Sequence, residues 1–188
     1  MKNTSTNALS NPRLLVFIAI FTALIAIGAF IRIPVPICPF TLQLLFTTLA
    51  GLLLGSYGGG LAVGLYIILG LFGLPIFTAG GGPAYIFQPT FGYLLSFMLG
   101  SIAIGYLSRR ISHWSFINLF FINIIGLLIV YAGGMVYLYA ITTLYLGQEM
   151  TLWSLFLYCF ILAVPGDICL CALAALIAKK LHFNKLIL

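Results

Sequence analysis

Long uncharged runs alternate with short polar or glycine- and proline-rich junctions along this chain. Residues 14–31 hold no charge and one hydroxyl, Thr22, and they run into Arg32 and the Pro34, Pro36, Pro39 cluster. A hydrocarbon core about 30 Å thick takes roughly 20 helical residues to cross, so this run predicts a first transmembrane helix, and the prolines predict its end. Residues 40–57 and 60–77 are also uncharged, and the glycines of Ser56-Tyr57-Gly58-Gly59-Gly60 predict a turn joining two spans. Residues 78–89, with Gly80-Gly81-Gly82 and three flanking prolines, Pro75, Pro83 and Pro89, predict a glycine-rich outward loop or re-entrant element. Its backbone polar groups need water, protein or a ligand. Residues 90–107 predict a fourth span ending at Arg109-Arg110, a fifth lies within residues 114–142, and a sixth covers residues 152–178 before Lys179-Lys180.

The expectation is an all-α integral membrane protein of six transmembrane helices, a single domain over residues 1–188 with a polar cytoplasmic segment at residues 1–12. Composition agrees, because 63% of the residues are hydrophobic and 5% are charged, where a soluble domain carries about 25% charge. The net charge of +6 does not point to nucleic acid, since the basic residues form no stripe that could follow a phosphate backbone. Six spans would collect Lys2, Arg13, Arg109, Arg110, Lys179, Lys180 and Lys185 on one side and leave Arg32 on the other. That split predicts a cell-membrane protein with both termini in the cytoplasm. The run after the polar start is long and lacks a small-residue cleavage site, unlike a signal peptide. Cys38, Cys159, Cys169 and Cys171 suggest no disulfide framework, and His113 and His182 lack neighbours with metal-ligand spacing. No GxxxxGK[ST] motif follows either glycine run, so ATP hydrolysis is not expected on this chain.

Asp167 carries the strongest chemical signal, because an acid in the middle of an apolar run costs about 3 kcal/mol on insertion scales and calls for a cavity or a partner. Pro165-Gly166 beside it predicts a helix break of the kind that exposes backbone to a bound solute. Gly82 and the Tyr85, Gln88, Thr90 and Tyr93 that follow it form a candidate ligand-binding stretch, whose phenols, amide and hydroxyl suit a small ligand. Gln43 and Tyr131 extend this candidate ligand-binding set, while Thr41 is expected to cap the helix that Gln43 begins. Ala19, Ala23 and Ala26 share a close-approach face suited either to packing within the bundle or to a membrane partner. No catalytic constellation is present in the sequence.

These residues resemble the BioY family, the biotin-binding S components of energy-coupling-factor (ECF) transporters. The resemblance runs through Pro34-Val35-Pro36, Pro39-Phe40-Thr41-Leu42-Gln43, residues 50–55, residues 73–77, Pro89-Thr90-Phe91-Gly92-Tyr93 and Pro165-Gly166-Asp167. It implies a six-helix ECF S-component-like bundle that binds biotin from outside without a covalent cofactor. It also implies a transmembrane coupling subunit and two cytoplasmic ATPase subunits as partners, with an alanine face of the first helix, here Ala19, Ala23 and Ala26, contacting the former. Two positions depart from the family pattern: Leu170 stands where a lysine is frequent, and Phe91 where a second glycine is frequent. Other readings of the residues are a subunit for another small vitamin, a proton-coupled secondary transporter, or a noncatalytic membrane assembly protein.

Overall fold

The computed structural model describes residues 11–33, 40–147, 151, 153, 156–161 and 163–183. The proline cluster at residues 34–39, Glu149, most of the polar segment at residues 1–12, and Lys185 lie outside the described residues. Helix α1 spans Pro12–Phe30, with the Asn11 side chain accepting from the Arg13 amide and proline in its first turn, where a missing N–H costs nothing. A two-residue ladder follows: β1 (Arg32–Ile33) pairs antiparallel with β2 (Phe40–Thr41), Arg32 opposite Thr41. Helix α2 covers Gln43–Leu71, a short 3-10 turn Pro83–Phe87, α3 Phe91–Ser108, α4 Phe116–Ala140 and α5 Val164–Phe183. Two π-helical pieces, Ile141–Tyr145 and Leu157–Ile161, lie between α4 and α5.

The expectation of six transmembrane helices is corrected. Among the described residues the chain forms five helices, and four of its helical runs are long and apolar enough to cross a membrane: Pro12–Phe30, Gln43–Leu71, Phe91–Ser108 and Phe116–Tyr145. Two causes account for the difference. Residues expected as spans two and three form the single 29-residue α2, bent at Gly55. The expected last span begins at Val164 rather than at residue 152, and its 20 residues include the charged Asp167, Lys179 and Lys180.

Gly55 takes φ 78° and ψ −177°, a left-handed φ open to glycine at little cost. Beyond it the chain folds back on itself. Gln43 Nε2 donates to the Tyr66 hydroxyl at 2.9 Å although 23 residues separate them, a gap that a straight helix would stretch to about 35 Å. Gly58, Gly59 and Gly60, expected to form the turn, are helical and buried. They serve close packing instead, since a Cβ on Gly59 would stand 2.8 Å from the Gly51 Cα.

The bent α2 is the centre of the molecule, packed on α1, α3 and α5, while α4 closes the bundle against α3 and α5. Ile25, Leu52, Val63, Tyr66, Phe77 and Leu119 are fully buried between them. Thr22 ties α1 to α2 by donating to the Ala62 carbonyl at 3.0 Å, and Asn123 ties α4 to α5 by donating to the Cys171 carbonyl at 2.9 Å. These bonds give the Thr22 hydroxyl and the Asn123 amide N–H partners that lipid could not supply.

Candidate functional site

One end of the bundle holds a cavity between the start of α2, the loop after it, α3, α4 and the start of α5. Three structural features shape it. Helix α5 starts at Val164, so Pro165 and Asp167 fall in its first turn, where proline loses no hydrogen bond and an acid is favoured by the helix dipole. The expected break beside the carboxylate is therefore a helix start. Gly166 admits the Phe40 ring, since a Cβ there would lie 2.7 Å from Phe40 Cε2. On the opposite wall, Gly134 of α4 lets Tyr93 of α3 lie flat, its missing Cβ being 2.4 Å from the Tyr93 ring.

Among the described residues Asp167 is the one charged residue in the lining. It is buried, and the Tyr131 hydroxyl donates to its Oδ2. Tyr131 meets Tyr93 edge-on at 6.4 Å and Phe160 at 5.3 Å, which fixes the ring that aims this donor. A second polar group gathers where the loop after α2 passes over the cavity. Thr78 Oγ1 and the Tyr85 hydroxyl are 3.0 Å apart, and Tyr85 is 3.3 Å from Thr90 Oγ1. A third group is the relay from Gln43 to the Tyr66 hydroxyl, which donates onward to the Ile76 carbonyl at 3.0 Å. Phe40, Leu44, Leu94, Phe97, Val130 and Ala163 complete the lining. The cavity thus presents an acceptor carboxylate, several hydroxyls and an amide on an aromatic and aliphatic wall. That suits a small solute carrying N–H donors and an apolar body.

Six of the eight expected ligand-binding residues, Gln43, Tyr85, Thr90, Tyr93, Tyr131 and Asp167, line this one cavity. Gly82 and Gln88 do not line it. Gly82 anchors the loop, its N–H donating to the Gly70 carbonyl at 2.7 Å, and Gln88 is exposed at the end of the 3-10 turn. Thr41 lines the cavity instead of capping α2, whose N-cap is Leu42 with no side-chain bond. Thr78 and Tyr66 were not singled out in the sequence. Thr78 stands two residues before the glycine run, a usable signal, whereas Tyr66 reaches Gln43 only because α2 bends. On α1, Ala19 and Ala23 are exposed beside Val16, Ile20 and Ile27, and Ala26 is half-buried. Among the described residues no group of three or more His, Cys, Asp or Glu side chains could hold a metal ion.

The BioY family model matches residues 1–185. The chain belongs to the BioY family. A probable biotin transporter of Lysinibacillus sphaericus is 45% identical over 168 residues, covering 89% of this chain and 86% of that protein. A biotin transporter of Thermotoga maritima is 44% identical over 123 residues, covering 65% and 72% of the two chains. The crystal structure of the S component for biotin from an ECF-type ABC transporter superposes with a TM-score of 0.78 at 26% identity, covering 95% of this chain and 94% of that one.

Proposed function

We propose that this BioY-family chain is the substrate-binding membrane subunit of an ECF-type transporter, and that it takes biotin into the cavity at Asp167. The buried Asp167–Tyr131 pair in a cavity lined by aromatic and aliphatic side chains carries this reading. The ureido ring of biotin has two N–H donors and one carbonyl, and its tail is apolar up to a terminal carboxylate. Asp167 accepts a ureido N–H through the carboxylate that Tyr131 holds in place. Gln43, Tyr85, Thr90 and Tyr93 supply the remaining polar contacts, and the ring faces of Phe40 and Phe97 receive the apolar parts. Gly82 and Gln88 act indirectly, by shaping the loop that carries Thr78 and Tyr85.

The polypeptide has no nucleotide-binding motif, so the energy for delivery comes from cytoplasmic ATPase subunits, two in the arrangement proposed, through a transmembrane coupling subunit. Ala19 and Ala23, exposed on α1, with Ala26 at the edge of the same face, form the contact with that coupling subunit. The cavity opens to the outside, and both termini lie in the cytoplasm. Leu14 at the start of α1 packs within 3.3 Å of a Cβ placed on Gly58, and Arg109 within 3.2 Å of one on Gly55, so the basic residues at the start of α1 and after α3 share the bent end of α2. That is the positively charged end expected in the cytoplasm. Thiol labelling of Arg110→Cys in a cysteine-free background from the outside only would contradict this orientation.

The test is native mass spectrometry of protein purified without added vitamin from cells grown on biotin. Retention of biotin is expected. Retention of a different vitamin, with no exchange for biotin, would overturn the substrate assignment.

A further inference from the structure

We propose that Arg32, at the mouth of the cavity, is the cation that recognises the carboxylate tail of biotin and sets the preference of the site for the free acid over its amides. The inference rests on the biotin reading above and concerns the end of the ligand that Asp167 does not hold.

Charge accounting motivates it. Among the described residues the only charge in the lining is the carboxylate of Asp167. A ligand that brings a second carboxylate into the same cavity is repelled unless a cation stands near its tail. Arg13 begins α1, and Arg109 packs against Gly55 at the bent end of α2. Arg110 lies over the Tyr106 ring, 4.3 Å from its centroid, at the same end of α3. Lys179 and Lys180 are near the far end of α5, about 18 Å along the helix from Asp167. Among the described residues Arg32 is the one basic side chain at the cavity end.

Its placement fits the role from two directions. The backbone of Arg32 pairs with Thr41 in the β1–β2 ladder, and Thr41 lines the cavity. The guanidinium Nη1 donates to the carbonyl of Thr78, which lines the same cavity from the loop after α2. Arg32 therefore bridges the two segments that form the rim. With Nη1 engaged, the Nε–Nη2 edge remains as a planar fork that matches a carboxylate by two parallel hydrogen bonds. The side chain is exposed, so it costs little desolvation while the site is empty and forms the charged contact when the tail arrives.

The experiment is isothermal titration of the full chain, wild type and Arg32→Gln, with biotin and with biotinamide, whose tail is uncharged. Arg32→Gln is expected to weaken biotin about tenfold to a hundredfold and to leave biotinamide unchanged, so that binding of the amide also reports an intact fold. Arg32→Lys, which keeps the charge without the fork, should lie between the two. Equal biotin affinity in wild type and Arg32→Gln would overturn the inference. So would an equal loss for biotin and biotinamide, which would make Arg32 a structural brace through Thr78. Failure of wild-type protein to bind either compound would instead overturn the biotin reading itself.

Discussion

A carboxylate inside an apolar bundle needs donors, and the Tyr131 hydroxyl supplies one to Asp167. Removing a partner from a buried charged group costs more than the bond is worth on average, about 1.5–3 kcal/mol where one side is ionised. Tyr131→Phe keeps the ring contacts with Tyr93 and Phe160 and deletes only that donor. It should lower the affinity for biotin by tenfold or more in an equilibrium binding assay, and lower the thermal midpoint of the ligand-free protein as well. An unchanged affinity would mean that Asp167 does not depend on Tyr131 for its position. Asp167 and Tyr131 were both legible in the sequence, because an acid or a phenol in an apolar run stands out. Thr41 and Thr78 were less so, since a hydroxyl at the end of a run reads equally well as a cap or as part of a turn. Tyr66 was illegible, because its bond to Gln43 exists only when α2 folds back.

The decisive element is the bend at Gly55, where a φ of 78° is required and a side chain would also crowd the Arg109 guanidinium, 3.2 Å from the Cβ position. An alanine held at this positive φ with an extended ψ, a combination essentially reserved to glycine, costs about 1–3 kcal/mol. Gly55→Ala should therefore lower the thermal midpoint of the purified protein, whereas Gly64→Ala, with only Met98 Sδ at 3.6 Å nearby, should have a much smaller effect. Equal midpoints for the two variants would contradict the assignment of the bend to Gly55. The uncharged runs located α1, α3 and α4 to within a few residues of their observed ends. They misplaced the reversal, because glycine supports both a left-handed bend and helix packing, and sequence alone does not say which of Gly55, Gly58, Gly59 and Gly60 does which. The last helix was misjudged for a related reason, as Pro165-Gly166 reads equally as a break inside one long helix and as the first turn of a shorter one, which is what α5 makes of it.

At the scale of the whole molecule, the cavity lies near Asp167 while Ala19 and Ala23 lie on the exposed face of α1, so the proposed ligand and partner contacts use separate surfaces. Ala23→Leu should accordingly reduce co-purification with the coupling subunit and uptake into cells, and leave biotin affinity unchanged, because a large side chain holds the two backbones apart. Loss of biotin binding in Ala23→Leu, or full co-purification, would contradict that separation. The central claim is that Asp167 binds biotin directly. Its most direct test is isothermal titration of folded wild type and Asp167→Asn with biotin. The substitution keeps the size of the side chain, removes its charge and replaces one acceptor oxygen with a donor. A loss of one charge-assisted contact predicts binding about tenfold to a hundredfold weaker; equal affinity in the two proteins would contradict the account.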